Sequence, residues 1–275
     1  MRNFKMMTVL FAALMFTFAS CSKDDETPGV QPEITTVEIS EDNAAITVTF
    51  NEAVYGLNNK TGNLDANSFS VGISDATVTA TYSVTHVAGE SVATINLVFS
   101  NRVKAGVTIQ VTAVAGKIYN VDGGALDADF SKTTTTIESG IIGKWSAYDI
   151  SFILQNLNFD DSLYATFNTD QSYKVTAYYL GTPLSFEGTY TQTKSTSNDI
   201  WDIVLTQTLP SAVTSQGIFK VFNAATDSMY YEVAQVDPAI AGVTPPTAAA
   251  GFGSTSGGAL GTMNLQKYNW IGQSE

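Results

Sequence analysis

The chain of 275 residues carries 26 acidic and 13 basic residues, a formal net charge of -13, and contains one cysteine and one histidine. These counts exclude a disulfide within the chain, cysteine-rich zinc sites and two-histidine metal sites. The acidic balance argues against nucleic acid as a partner, because contacts to phosphates require clustered Lys and Arg.

Residues 1–20 have the pattern of a secretory signal peptide. Arg2 and Lys5 supply positive charge, and a mostly apolar run follows at residues 6–18. The run is shorter than the roughly 20 apolar residues of a membrane-spanning helix, and no stop-transfer pattern follows it. We therefore predict that this segment directs export and is then removed.

The segment Phe18-Ala19-Ser20-Cys21 resembles the lipobox of bacterial lipoproteins, although Phe18 stands where leucine is usual. The resemblance implies that Cys21 is acylated, for example with palmitate, and that the mature chain is anchored in the outer membrane. Ordinary cleavage after Ser20, which would leave a free thiol, is the alternative.

Residues 21–33 are predicted to form an acidic tether that also contains proline and glycine. Asp24, Asp25 and Glu26 resemble the acidic tag that sends lipoproteins of Bacteroidota to the cell exterior; a periplasm-facing anchor is the alternative. Removal of residues 1–20 leaves 11 bases against 26 acids, a net charge of -15. Such a charge keeps the body of the protein away from an anionic membrane surface.

Residues 34–137 are predicted to form a β-sandwich. Alternating apolar and polar positions rich in Thr, Val and Ile are typical of half-buried strands. About seven short strands in about 105 residues, separated by turns, favour a sandwich. The clearest strand patterns lie at residues 37–39, 46–50, 69–73, 78–84, 95–99 and 107–111.

Two motifs in this region resemble bacterial Ig-like domains. Residues 45–54, AITVTFNEAV, resemble an early strand of that family, and residues 118–126, IYNVDGGAL, resemble its closing turn, with Gly124 where asparagine is common. The resemblance implies an Ig-like β-sandwich that acts as a spacer or adhesive module. A strand end and hinge are predicted near residues 131–140.

Residues 141–272 are predicted to form a second all-β domain, rich in aromatic residues. It resembles the lipocalin-like domains of secreted Bacteroidota proteins through Gly143-Lys144-Trp145, the hairpin at 165–173 and the strand at 186–190. The resemblance implies an up-and-down β-barrel with Trp145 in its closed end. No carboxy-terminal helix is predicted, so the ligand class of true lipocalins is not carried over.

Polar residues offer three candidate chemistries, each with a simpler interpretation. His86 is the only imidazole, and we interpret it as a surface histidine on a strand. Calcium binding at residues 120–124 with Asp127 and Asp129 competes with ordinary turn chemistry. Two-carboxylate glycoside hydrolysis is a distant hypothesis. Its candidate acids are Asp160, Asp161, Glu187, Asp199 and Asp202.

Aromatic residues suggest ligand contacts. The sequence has two adjacent tyrosine pairs, Tyr178-Tyr179 and Tyr230-Tyr231. Neighbouring side chains on a strand point to opposite faces of the sheet, so one member of each pair is expected to face outward or toward the interior of the barrel. Residues 237–261, rich in proline and glycine, are predicted to be either a lid over the barrel mouth or a mobile insertion. The candidate ligand-binding residues are Trp201, Tyr178, Tyr179, Tyr230 and Tyr231.

Together these patterns predict a non-enzymatic surface lipoprotein that binds an extracellular glycan or a small apolar ligand. We expect no catalytic residues, no metal and no cofactor, and we expect the lipid on Cys21 to attach the protein to the membrane. A purely structural or adhesive protein is the alternative.

Overall fold

The first seven strands form two antiparallel sheets. They are β1 (Ile34–Ile39), β2 (Ala45–Phe50), β3 (Phe69–Ile73), β4 (Ala80–Thr85), β5 (Val92–Phe99), β6 (Thr108–Ala113) and β7 (Phe130–Thr135). One sheet has the order β1-β2-β5-β4 and the other β3-β6-β7. This is the strand order of constant-type immunoglobulin domains, so the predicted amino-terminal sandwich is confirmed.

The computed structural model describes residues 31–196, 198–223 and 227–274. The predicted signal peptide, Cys21 and residues 21–30 of the tether lie outside the described residues. From Gln31 onward the chain forms one compact unit.

The core of the sandwich follows from the alternation in its strands. Ile46 and Val48 on β2 and Ile109 and Val111 on β6 are fully buried, while the residues between them point away from the core. The ring of Phe50 meets that of Phe69 on the opposite sheet at 6.3 Å. The sheets are therefore held together mainly by apolar packing.

The remaining strands close into an eight-stranded barrel. They are β8 (Gly143–Asp149), β9 (Phe159–Phe167), β10 (Ser172–Tyr179), β11 (Thr182–Lys194), β12 (Trp201–Leu209), β13 (Val213–Phe222), β14 (Ser228–Asp237) and β15 (Gln266–Gly272). Each strand pairs antiparallel with the next, and β15 pairs with β8 to complete the ring. The predicted up-and-down barrel is confirmed.

The two ends of the barrel differ. At the closed end, where β8 begins, Trp145 is fully buried and its indole N–H donates to the carbonyl of Ile141 at 2.8 Å. Phe167 packs edge-on against Tyr190 beside it, with ring centroids 5.2 Å apart. The interpretation of Trp145 as a core residue is therefore confirmed. The opposite end, where β8 finishes, is the open end.

The open end carries the only helix longer than four residues among the described residues, α1 (Phe152–Asn156). The hydroxyl of Ser151 caps it by accepting from the N–H of Leu154. A five-residue helix is too short for its apolar periodicity to be visible in the sequence, which explains why it was not predicted.

The predicted hinge between the two β bodies is instead a packed junction. The side-chain amide of Asn43 bonds both the N–H and the carbonyl of Ile137, at 2.8 and 2.9 Å. Arg102 donates to the hydroxyl of Ser139 and the carbonyl of Gly140. Since side chains of the sandwich satisfy these backbone groups, the segment does not behave as an exposed linker.

The long connection between β14 and β15 lies on the outer wall of the barrel. Glu232 faces outward, between the inward-facing Tyr231 and Val233, and is fully buried beneath the connection. Its carboxylate accepts from the N–H of Gly253 at 2.6 Å and from the N–H of Thr255 at 3.1 Å. The connection is therefore bonded to the barrel wall rather than placed as a lid over the mouth.

Candidate functional site

The open end of the barrel contains a cavity of about 180 Å³. It lies among the inward-facing positions of seven strands, β9 to β15, and Leu154 of α1 contributes from above. Its polar lining comes from three tyrosine hydroxyls, two glutamines and a serine. The apolar lining residues are Leu154, Phe159, Leu163, Val175, Ala177, Phe186, Leu205 and Val233, and the polar ones are Tyr173, Gln207, Ser215, Tyr231, Gln266 and Tyr268.

Strand alternation explains which residues reach this cavity. On β10, Tyr173, Val175 and Ala177 are two residues apart and therefore share the inner face. The side chains become smaller from Tyr173 to Ala177, that is, toward the open end. The closed end is filled by bulky side chains, including Phe219 and Met229, which are fully buried.

The floor of the cavity is made of tyrosines. The rings of Tyr231 and Tyr268 meet edge-on, with centroids 5.9 Å apart. The hydroxyl of Tyr268 donates to Gln266 Oε1 at 2.7 Å. Among the described residues, the hydroxyls of Tyr173 and Tyr231 have no hydrogen-bond partner, so both are available to a polar atom of a ligand.

Burial keeps these hydroxyls neutral. Loss of solvent raises the pKa of Tyr173 to about 12 and raises the pKa of Tyr231 well above its ordinary value. The proximity of Tyr268 and Tyr173 adds to the effect on Tyr231. An anionic phenolate is therefore disfavoured, and the cavity presents neutral O–H groups at physiological pH.

The predicted ligand-binding aromatics do not form one site. Tyr231 lines the cavity. Tyr179 does not line it, but its ring meets that of the lining residue Phe159 at 5.7 Å. Trp201 lies toward the closed end, stacked on Phe219 at 5.7 Å. Tyr178 and Tyr230 alternate with the inward-facing residues and lie on the outer wall; Tyr230 packs there against Phe222 and Phe252.

Sequence reasoning missed most of the cavity lining. Tyr173, Phe159 and Gln266 are unremarkable in the sequence, because an inward position at the open end looks the same as one in the filled core. Their alternation with exposed neighbours indicates the inner face but not the depth along the barrel. These residues come together only because the eight strands close into a barrel.

His86 is buried, so its interpretation as a surface residue was wrong. Its side chain is 5% exposed, Nδ1 accepts from the N–H of Leu64 at 3.0 Å, and Nε2 faces the carbonyl of Glu90 at 3.1 Å. Because the Leu64 N–H can only donate, the proton must lie on Nε2. Burial lowers the pKa of His86. The neutral ring thus connects two loops of the sandwich.

The acids considered for hydrolysis have separate partners. The carboxylate of Asp160 accepts from the N–H of Gly181, Glu187 pairs with Lys174 at 2.8 Å, and Asp202 accepts from the N–H of Ala248. Asp199 is exposed and lies 3.7 Å from the ammonium of Lys220. The side chain of Asp161 is outside the described residues.

The turn considered for calcium is explained by its own hydrogen bonds. Asn120 Oδ1 accepts from the N–H groups of Asp122 and Gly124, at 3.0 and 2.7 Å. Asp129 accepts from the N–H of Ala115, and Asp127 accepts from the Gln31 side chain. Within the described part of the chain, no three acidic, histidine or cysteine side chains are arranged to hold a metal ion.

Comparison of the chain with protein-family models, with curated proteins and with solved structures gives no match. Between residues 31 and 274, with the gaps given above, no helix is long and apolar enough to cross a membrane.

Proposed function

We propose that this protein is a non-enzymatic, lipid-anchored surface protein whose barrel binds a small apolar ligand. The observation that carries the proposal is the cavity at the open end, which combines an apolar lining with two tyrosine hydroxyls that no other described residue bonds. Ligand pockets typically have this composition, with a mostly apolar wall and a few polar groups that fix orientation. Of the two predicted ligand classes, the lining favours the apolar one over a glycan.

The size of the cavity limits the ligand. A volume of about 180 Å³ is close to that of an engineered apolar cavity of roughly 150 Å³ that accommodates benzene. One aromatic ring or a short alkyl chain therefore fits inside. A single polar atom on the ligand would reach Tyr173 or Tyr231 and offset the loss of water around those hydroxyls.

Titration with toluene and phenol, followed through the methyl signals of the cavity residues in NMR spectra, tests the proposal. We expect saturable shifts at Leu205 and Val233 and tighter binding of phenol. Ala177→Leu fills the cavity and should weaken binding at least about tenfold, a difference of roughly 1.4 kcal/mol. Thr176→Leu, on the adjacent, outward-facing position of β10, is the matched control and should leave binding unchanged.

The alternative is a structural or adhesive surface protein, and one observation favours it. The cavity is smaller than the roughly 300–1,000 Å³ of most small-molecule sites. If neither compound shifts the methyl signals of Leu205 and Val233 at millimolar concentration, the binding proposal is wrong and the structural role is favoured.

The anchor is tested independently of the barrel. Mass spectrometry of the mature protein should find an acylated Cys21 at the amino terminus. A Cys21→Ser variant should accumulate in the soluble fraction of the cell envelope. An unmodified thiol on Cys21 would contradict the lipoprotein assignment and leave the ligand proposal unaffected.

A further inference from the structure

Three buried polar atoms without a hydrogen-bond partner among the described residues line the same small cavity. They are Nε of Arg102, Nε2 of Gln273 and Oγ of Ser274. The cavity has a volume of about 20 Å³ and lies at the junction, bordered by Phe99 of the sandwich and Trp270 of the barrel. Buried polar groups are almost always paired, so three unpaired ones in one place require an explanation.

The other polar atoms of Arg102 and Gln273 are already bonded, which fixes their unpaired nitrogens in place. The two terminal nitrogens of Arg102 donate to Asn223 Oδ1 at 3.1 Å, Ser139 Oγ at 2.9 Å and the carbonyl of Gly140 at 2.8 Å. Gln273 Oε1 accepts from the N–H of Phe99 at 3.2 Å. The side chains of Arg102 and Gln273 therefore cannot rotate toward a new partner without breaking these bonds.

We propose that this cavity is the binding site of a single water molecule that joins the sandwich to the barrel. A buried water needs about 10–15 Å³ of accessible space and two to four polar partners, and this cavity supplies both. The water oxygen accepts from Arg102 Nε–H and Gln273 Nε2–H, and one water hydrogen is donated to Ser274 Oγ. All three orphaned groups are then satisfied at once.

The surrounding charges favour water over a small anion. Asp42 lines the cavity, and Asp227 lies beside it with its carboxylate accepting from the backbone N–H of Arg102 at 3.1 Å. The guanidinium of Arg102 would attract a halide, but the two negative charges outnumber it and would repel the ion, whereas a neutral water takes the same donors without that cost. The bound water would thus complete a polar joint that fixes the barrel on the sandwich.

A high-resolution crystal structure of the full mature chain tests the site directly. We expect one electron-density peak within about 2.6–3.2 Å of all three atoms. Crystals grown in sodium bromide should show no anomalous signal there. A bromide peak would identify an anion site and overturn the proposal, and so would direct pairing of the side chains with no density between them.

Thermal unfolding of paired variants tests the site in solution. Arg102→Lys removes the Nε–H and Ser274→Ala removes the hydroxyl, and the two residues do not bond each other directly. If both bind one water, the double variant should lower the melting temperature by less than the sum of the single shifts. Ser83→Ala, an exposed position on β4, is the control and should add to Arg102→Lys without coupling. Additive shifts for Ser274→Ala would contradict the shared water.

Discussion

The carboxylate of Glu232 is expected to hold the β14–β15 connection on the barrel wall. It is fully buried and accepts from three donors on residues that are distant in sequence: the N–H of Gly253 and both the N–H and the hydroxyl of Thr255. Hydrogen bonds to a charged group contribute about 1.5–3 kcal/mol each, and donors left unpaired cost a further amount. Replacement of Glu232 should therefore release the connection before it unfolds the barrel.

Two substitutions separate loss of charge from loss of all acceptors. Glu232→Gln keeps one oxygen for Thr255 but turns an amide N–H₂ toward the N–H of Gly253, and we expect it to lower the free energy of unfolding by about 2 kcal/mol. Glu232→Ala leaves all three donors without this partner and should lower it by about 3–4 kcal/mol. Urea unfolding gives these values, and hydrogen exchange should show lost protection at Gly253 and Thr255.

Glu38→Gln is the matched control, because Glu38 is an exposed acid on β1 and should change stability by less than about 0.5 kcal/mol. This role of the Glu232 carboxylate is refuted if Glu232→Gln and Glu38→Gln have equal stability. It is also refuted if Glu232→Ala loses stability while Gly253 and Thr255 keep their protection from exchange.

Two further predictions concern backbone packing and pH. A Cβ on Gly217 would lie 2.1 Å from the carbonyl oxygen of Glu232. In urea unfolding, Gly217→Ala should therefore lower the free energy of unfolding by at least about 1–3 kcal/mol. The control is Gly72→Ala, whose Cβ would meet no atom closer than 3.9 Å and which should leave the stability unchanged. Burial lowers the pKa of His86 in the folded state, so the unfolded state takes up a proton at a higher pH than the folded state does. The contribution of His86 to stability is therefore fully present above the unfolded pKa of about 6.5, and the free energy of unfolding falls as the pH drops below that value. His86→Asn should remove this part of the pH dependence, and an unchanged pH profile would refute the assignment.

The strand pattern of the sequence was sufficient to predict the two β bodies. The alternation at residues 69–73 coincides with β3, and Trp145 lies in the closed end as expected. The junction was not predictable, because Asn43 and Ile137 are 94 positions apart and the sequence does not show that one satisfies the other. Likewise, the sequence predicts that Glu232 is an exposed acid on a strand, because it does not show that the β14–β15 connection covers this residue.

The candidate site was harder to predict for a related reason. Tyr230 and Tyr231 are adjacent and chemically identical, yet only Tyr231 lines the cavity. Alternation separates the two faces of β14, but which face points inward depends on the register of β14 with β13 and β15. A one-residue shift in that register would exchange the two tyrosines.

The distribution of side-chain volume inside the barrel supports a binding role for the cavity. Trp145, Phe167 and Phe219 fill the closed end without exposure, whereas Ala177, Val175 and Val233 leave space at the open end. Larger apolar side chains at these three positions would bury more surface and stabilise the fold, as the large side chains at the closed end do. A purely structural barrel gains nothing from the smaller residues. A barrel that admits a ligand requires them. The hydroxyls of Tyr173 and Tyr231, which have no hydrogen-bond partner in the described part of the chain, lie at the bottom of the space that they leave.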